Sequence, residues 1–326
     1  MNDESMLVLT VDRDEQLATR AAWLYFVAGL TQAQIGKKLG INRIRVNRLL
    51  AQAREQGMVQ IRITGRLADC IELENKIKER FGIDQAIIVP TPPDQALVRH
   101  VIGAAAGNAL AERLKDGMSV GVGWGRTLRL SLRSVPRRPL RRVSVVSLMG
   151  GLTRGAAVNP HETASHLADL IDAQCFYIAA PALADSEATR DLLAQQPMIK
   201  DVFERLRKVD LVLVSAGGLA SDSTIHQVDL IGEADGRSLK KAGAVGDLCA
   251  HWLDVDGRLV DHPLNKRAVA LSPFDLKSVP CVIMASGGPD KIEILHGVLK
   301  GQMVDILITD EATASGILAI AERRKE

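Results

Sequence analysis

Aromatic residues are scarce in this chain of 326 residues, with three Trp, two Tyr and five Phe. That scarcity argues against recognition of single strands, which stacks bases on exposed rings, and it costs nothing to duplex reading by arginine and asparagine. The four cysteines, Cys70, Cys175, Cys249 and Cys281, lie far apart with no C-x-x-C pair. Neither a zinc ribbon nor a disulfide framework is expected, and buried free thiols in a reducing compartment are. No apolar run approaches the ~20 residues of a membrane span, and the acidic start, MNDESMLVLTVDRDE, has no apolar core of signal-peptide length. A cytoplasmic protein with no membrane partner is the expectation. His161 and His166 stand five apart, which turns them about 140° around a helix, so they do not form a zincin pair. No metal and no cofactor is expected, and internal repeats are absent.

What is present begins with residues 31–56, TQAQIGKKLGINRIRVNRLLAQAREQ. Thr31 with Gln34 three positions on is a capping-box signature. Ala33, Ile35 and Leu39 recur at roughly helical spacing until Gly40 ends the segment. Ile41 plugs a turn, and Asn42 caps a second helix whose inward face is Val46, Leu49, Leu50 and Ala53. Leu17, Ala21, Leu24, Tyr25 and Ala28 supply a preceding helix over residues 15–28, closed by Gly29. This is the layout of a helix-turn-helix that reads DNA. Charge agrees: residues 31–66 hold eight basic residues (Lys37, Lys38, Arg43, Arg45, Arg48, Arg54, Arg62, Arg66) and one acid, Glu55, a local net of +7 in a chain of net +2. Residues 58–63, MVQIRI, alternate like a short strand and suggest a wing with Gln60 and Arg62 at phosphate. The candidate DNA-contacting residues are Thr31, Gln32, Arg43, Ile44, Arg45, Asn47, Arg48 and Arg62.

The length allows about two domains. Residues 1–66 form the DNA-binding domain with its wing, 67–82 a linker helix marked by Leu67, Ile71, Leu73, Ile77 and Phe81, and 83–326 a large domain. In that domain short apolar runs at 86–89, 119–122, 143–148, 175–178, 211–214, 281–285 and 306–309 alternate with helical patterns. Such alternation predicts an α/β fold with a mostly parallel sheet, whose ligand sits at the carboxyl ends of the strands. Glycine-rich turns follow several of these runs: 121–127 (GVGWGRT), 149–151 (MGG), 215–218 (SAGG) and 286–291 (SGGPDK). Loops of this make-up at one sheet edge suggest a single polar pocket. Residues 136–142, PRRPLRR, read as an exposed loop before a strand, with a second nucleic-acid contact as the alternative.

The strings Gly243-Ala244-Val245-Gly246-Asp247, Asp254-x-Asp256-Gly257-Arg258, Leu264-Asn265, Ser286-Gly287-Gly288-x-x-Lys291 and Leu307-Ile308-Thr309-Asp310-Glu311-Ala312-Thr313 resemble the effector domain of SorC-type sugar-responsive bacterial transcriptional regulators. The similarity runs over residues 21–318. The resemblance implies an N-terminal helix-turn-helix domain followed by a sugar-binding domain related to glucosamine-phosphate deaminases and ribose-phosphate isomerases. It also implies dimers or a homotetramer. By the same resemblance the loop of Gly123, Trp124, Gly125, Arg126 and Thr127 holds the sugar or its phosphate, Lys291 is the cation facing it, and Asp247 binds sugar hydroxyls. Gly217 joins this set, Asp310 and Glu311 close the pocket, and Asn159 and Glu162 lie near the effector. Some relatives carry a lysine before the paired glycines of the third strand, placed for a Schiff base with an aldose; this chain has Met149. A reversible ligand is therefore expected, a sugar, polyol or its phosphate, and the likeness to erythritol-responsive members favours a short polyol. Operator DNA is the expected macromolecular partner. The alternative is an aldose–ketose isomerase or deaminase using Asp247, Glu162 and His161 as acid and base, which the fused DNA reader opposes.

Overall fold

The computed structural model describes residues 13–55, 58–59, 68–153, 158–220 and 223–324. It divides into two compact units, Met1–Thr64 and Gly65–Glu326.

The first unit holds α1 (Arg13–Phe26), α2 (Gln32–Leu39) and α3 (Arg43–Glu55). Its core is Ala18, Ala21, Ala22, Leu24, Ile35, Val46, Leu49, Leu50 and Ala53, all buried. Helix α2 starts at a capping box: the Gln34 N–H donates to Thr31 Oγ1 (3.4 Å) and the Thr31 N–H to Gln34 Oε1 (2.9 Å). Gly40 ends it with φ +67°, a left-handed conformation that suits glycine. The turn is tight enough that a Cβ on Gly36 would stand 2.7 Å from the Ile41 carbonyl oxygen. Asn42 then caps α3, its Oδ1 accepting the Arg45 N–H at 2.8 Å. Three of the apolar residues at helical spacing stay outside the core. Tyr25 is 39% exposed in the last turn of α1, Ala28 is exposed beyond the helix, which ends at Phe26 and not at the expected residue 28, and Ala33 is exposed on α2. The wing expected over residues 58–63, with Gln60 and Arg62, falls mostly outside the described residues.

The second unit is built on seven strands: β1 (Gln85–Val89), β2 (Ser119–Val122), β3 (Ser144–Ser147), β4 (Gln174–Phe176), β5 (Leu211–Val214), β9 (Val282–Ala285) and β10 (Ile306–Asp310). They lie in the order β1-β10-β9-β5-β2-β3-β4, and every pairing is parallel. The remaining strands, β6 (Ala216–Gly218), β7 (Gly246–Leu248) and β8 (His251–Leu253), form a small antiparallel sheet. A two-residue period sorts side chains to the two faces: Leu211 and Leu213 enter one core, Val212 and Val214 the other. Helices cover both faces, so the central strands read as unbroken apolar runs. One face carries α5 (Val98–Arg113), α6 (Arg126–Ser131) and α7 (Pro160–Ile171) through Ile102, Leu128 and Leu167. The other carries α4 (Ala68–Phe81), α9 (Pro197–Leu206), α12 (Ile292–Lys300) and α13 (Glu311–Arg323) through Ile77, Leu206, Leu295 and Ile317. Each such side chain, fully buried, contributes about 1.5–3 kcal/mol. The other α-helices among the described residues are α8 (Glu187–Gln195), α10 (Thr224–Gln227) and α11 (Glu233–Lys241).

Helix α4, in the stretch expected as a linker, is a layer of this unit. Its Cys70, Ile77 and Phe81 are buried in the core, Glu74 Oε1 accepts the Ile88 N–H of β1 at 2.9 Å, and Arg80 donates to the Ala321 carbonyl of α13 at 3.1 Å. The basic loop 136–142 has a structural member: the Arg138 guanidinium donates to the Ala111 and Leu114 carbonyls at the end of α5.

Strand order fixes where a ligand belongs. From β2 the chain moves outward through β3 to β4, then returns to place β5 on the other side of β2 and builds towards β9 and β10. The carboxyl ends of β2 and β5 therefore diverge into loops of opposite direction, the topological switch point at which open α/β sheets bind ligands.

Candidate functional site

A cavity of about 310 Å3 opens there. The loop after β2 supplies Trp124, Gly125, Arg126 and Thr127, the loop after β5 leads into Gly217, and the loop after β9 contributes Ser286 to Lys291. Asp247 enters from β7. Of the residues expected at the effector, Trp124, Gly125, Arg126, Thr127, Gly217, Asp247 and Lys291 line this cavity.

Asp247 is 1% exposed, and its reach into the cavity depends on glycine. It pairs with Gly217 across β6 and β7, and a Cβ on Gly217 would lie 2.0 Å from Asp247 Oδ1. Asp247 Oδ2 accepts the Ala250 N–H at 3.3 Å, whereas Oδ1 is buried with no partner. Burial pushes this carboxyl up to about 6, against the pull of the Ala250 N–H and the Lys291 charge. Lys291 forms an ion pair with Asp290, and its ammonium stands 3.2 Å from where a Cβ on Gly218 would be. The lining thus carries three cations, Arg99, Arg126 and Lys291, and two acids, Asp247 and Asp290. Arg126 donates to Gln227 Oε1, which ties the β2 loop to α10.

Five expected residues lie outside the lining. Gly123 is one residue short of it; its N–H donates to the Leu213 carbonyl at 2.9 Å, joining the ends of β2 and β5. Asn159 caps α7, accepting the His161 N–H at 3.2 Å and donating to the Leu152 carbonyl at 2.8 Å, so both ends of its amide are used. Glu162 is exposed in the first turn of α7. Asp310 sits beneath the β9 loop: it accepts from Thr91 Oγ1 at 2.7 Å and from Thr313, whose hydroxyl accepts the Gly288 N–H at 2.8 Å. Its work is to hold that loop. Glu311, expected beside it, does not line the cavity either. Other motif residues are structural too: Asp254 Oδ1 accepts the Asp256 and Arg258 N–H groups in a turn, and Asn265 bonds the Trp252 backbone from both sides.

Sequence reasoning missed Gln95, Val98 and Arg99 at the start of α5, and Ser223, Thr224 and Ile225 at α10. No glycine-rich turn marks either segment. Met149, in the position where some relatives carry lysine, is fully buried in an apolar cluster with Trp124 and Trp252 and puts no amine near the cavity. His161 is engaged by the Ile178 carbonyl at 3.1 Å and by the Tyr177 ring. No group of three His, Cys, Asp or Glu residues that could hold a metal occurs among the described residues.

On the first unit, α3 presents a different surface. Arg43, Ile44, Arg45, Asn47 and Arg48 are all exposed, Ile44 by 80%, while Val46, Leu49 and Leu50 between them are buried. Arg43 Nε donates to Gln32 Oε1 at 3.3 Å, which places Gln32 beside the start of α3. Thr31 is exposed at the α2 cap. Arg62 lies outside the described residues.

A helix-turn-helix unit with an exposed basic second helix, joined in one chain to a parallel α/β unit with a polar cavity at its switch point, defines a ligand-responsive DNA-binding regulator. Residues 65–319 match the family described as "Putative sugar-binding domain", and residues 23–56 match "Sigma-70, region 4". The chain is 30% identical over 309 residues to the erythritol catabolism regulatory protein EryD of Brucella abortus, covering 94% of this chain and 98% of that protein. It is 30% identical over 312 residues to the deoxyribonucleoside regulator of Bacillus subtilis, covering 94% and 99%. The crystal structure of the full-length sorbitol operon regulator SorC from Klebsiella pneumoniae superposes with a TM-score of 0.71 at 26% identity, covering 94% of this chain and all of that one. The chain belongs to the SorC family of sugar-binding transcriptional regulators. It is a regulator, and the isomerase or deaminase alternative finds no counterpart among these relatives.

Proposed function

We propose that this protein governs transcription of an operon for carbohydrate or polyol catabolism and that a short polyol, a sugar or its phosphate, bound reversibly in the Asp247 cavity, sets its affinity for operator DNA. The observation that carries this reading is Asp247, a buried residue in the lining of a polar cavity whose Oδ1 has no hydrogen-bond partner. A carboxylate oxygen so placed is an acceptor awaiting a hydroxyl donor, and leaving it unpaired costs about 1–3 kcal/mol that a polyol hydroxyl returns on binding. Arg99, Arg126 and Lys291 offer charge-assisted contacts to a terminal phosphate. Erythritol, the compound whose catabolism names one relative, heads the list of effectors. Without a lysine at Met149, no covalent adduct forms at that position. Arg43, Arg45, Asn47 and Arg48, with Ile44, meet base edges and phosphates in the major groove, and Thr31 and Gln32 meet the backbone beside them. The regulator works in the cytoplasm as a homo-oligomer, a dimer or tetramer, whose paired reading heads span successive half-sites. Among the described residues no helix is long and apolar enough to cross a membrane.

The test is a thermal-shift screen of polyols, sugars and their phosphates, followed by operator binding with each hit. A ligand that binds only the folded state raises the melting temperature. The expected result is a hit that changes operator affinity. A hit that is turned over chemically, or a screen in which no such compound binds, contradicts the reading.

A further inference from the structure

Among the described residues, two that line the cavity each carry a buried side-chain atom without a hydrogen-bond partner: Asp247, through Oδ1, and Ser223, through Oγ. Ser223 is 5% exposed, stands immediately before α10 and is one of the residues lining the cavity. Its backbone is fully used. The Ser223 N–H donates to the Ala220 carbonyl at 2.9 Å, and its own carbonyl accepts from His226 at 3.2 Å and Gln227 at 3.1 Å.

A serine before a helix ordinarily earns its place by accepting an amide of the first turn. Ser223 makes no such bond. A buried hydroxyl without a partner is a net cost to the folded chain, so the ordinary structural reason for serine here is missing. The segment is nevertheless held at the site, because Gln227 of α10 accepts from Arg126 of the β2 loop.

We propose that Ser223 is an effector-binding residue, its hydroxyl bonding a hydroxyl of the ligand whose neighbouring hydroxyl donates to Asp247. The proposal rests on the reading of the cavity as a polyol or sugar site. The two atoms are complementary in what they ask of a ligand. Asp247, when ionised, only accepts, whereas the serine hydroxyl donates as well as accepts. Together they select a molecule with more than one hydroxyl and discriminate against the analogue lacking one, because a deoxy ligand leaves a buried polar group unpaired.

The experiment compares the full-length wild-type chain with Ser223→Ala by calorimetric titration of erythritol, ribitol, sorbitol and the terminal monophosphate of each. No bond is lost in the free protein, so the variant's melting temperature without ligand should equal or slightly exceed that of the wild type. For the compound the wild type binds, Ser223→Ala should bind about tenfold more weakly, about 1.4 kcal/mol. That loss should vanish against one monodeoxy analogue of the same compound. Equal affinity of the two proteins overturns the proposal and leaves the site reading intact. A fall of several degrees in the melting temperature of the free variant also overturns it, since the hydroxyl then serves the fold. If the wild type binds none of these six and no polyol, sugar or sugar phosphate of the thermal-shift screen, the site reading fails and the proposal falls with it.

Discussion

The two units solve recognition in opposite ways. On the helix-turn-helix unit the proposed DNA-contacting groups are held outward by a core directly beneath them: Val46, Leu49 and Leu50 are buried while Arg43, Arg45, Asn47 and Arg48 on the same helix face solvent. In the large unit the proposed effector-binding group is held inward, a carboxyl buried on the middle strand of the small sheet with one oxygen unpartnered. Exposed cations suit a polyanion that brings its own strong field and displaces counterions. A buried acceptor suits a small neutral or singly charged ligand, because desolvation has already been suffered in the free protein and the ligand's hydroxyl recovers it.

The comparison is broken most severely by removing the outward group. Arg43→Ala, Arg45→Ala and Arg48→Ala together should cost several kcal/mol of operator binding, at about 1–3 kcal/mol for each base contact, while the thermal shift by effector is unchanged. A mobility-shift assay in which the triple variant binds like the wild type would remove α3 from the interface.

The inward group is next. The Asp247 carboxyl is raised by burial from its ordinary 3.8 to about 6. A folded-state value above the unfolded one means that its contribution to stability is full below pH 3.8 and is lost as pH rises through about 6. The difference of about two pKa units corresponds to about 3 kcal/mol. Asp247→Asn cannot ionise, so the stability difference between wild type and variant, read from urea melts across that pH window, should shift by this order in favour of the variant as pH rises. A flat difference would mean that the carboxyl is solvated. Operator binding by the ligand-free variant should be normal.

Lys291→Ala should weaken a phosphorylated ligand about tenfold or more and a neutral polyol little, since a charge-assisted contact contributes about 1.5–3 kcal/mol. Equal losses for both ligands would assign Lys291 to loop structure through Asp290. The smallest expected effect is Thr31→Ala, which deletes the α2 cap and should cost about 1 kcal/mol of stability in the first unit without touching effector binding. Calorimetry that resolves the two units' transitions checks this.

How far the sequence revealed these regions follows from the length of each signal. All seven strands of the parallel sheet announced themselves as apolar runs, because both faces of that sheet are covered. The small sheet was invisible: its three-residue strands, AGG, GDL and HWL, are too short and too glycine-rich to show alternation. Yet this sheet carries Asp247 and the glycine that makes room for it. The α2 cap, the Gly40 stop and the inward face of α3 were legible because each depends on residues within one or two turns. Arg99 and Ser223 were not, since only the tertiary fold brings the starts of α5 and α10 to the mouth of the switch point. Asp310 shows what a motif string leaves out. The resemblance put it at the closing of the pocket, and only the fold shows its carboxyl accepting from Thr91 and Thr313 beneath the β9 loop.

The central claim, that one chain links an outward arginine face to an inward hydroxyl reader, is tested most directly by reciprocity. Effector affinity should be measured by titration with and without a saturating operator duplex selected from a random pool, and operator affinity with and without saturating effector. Linkage requires the two ratios to be equal. The expected result is a common factor of at least fivefold in the wild type that falls to one in Asp247→Asn. Effector binding that is indifferent to the operator in the wild type would contradict the account.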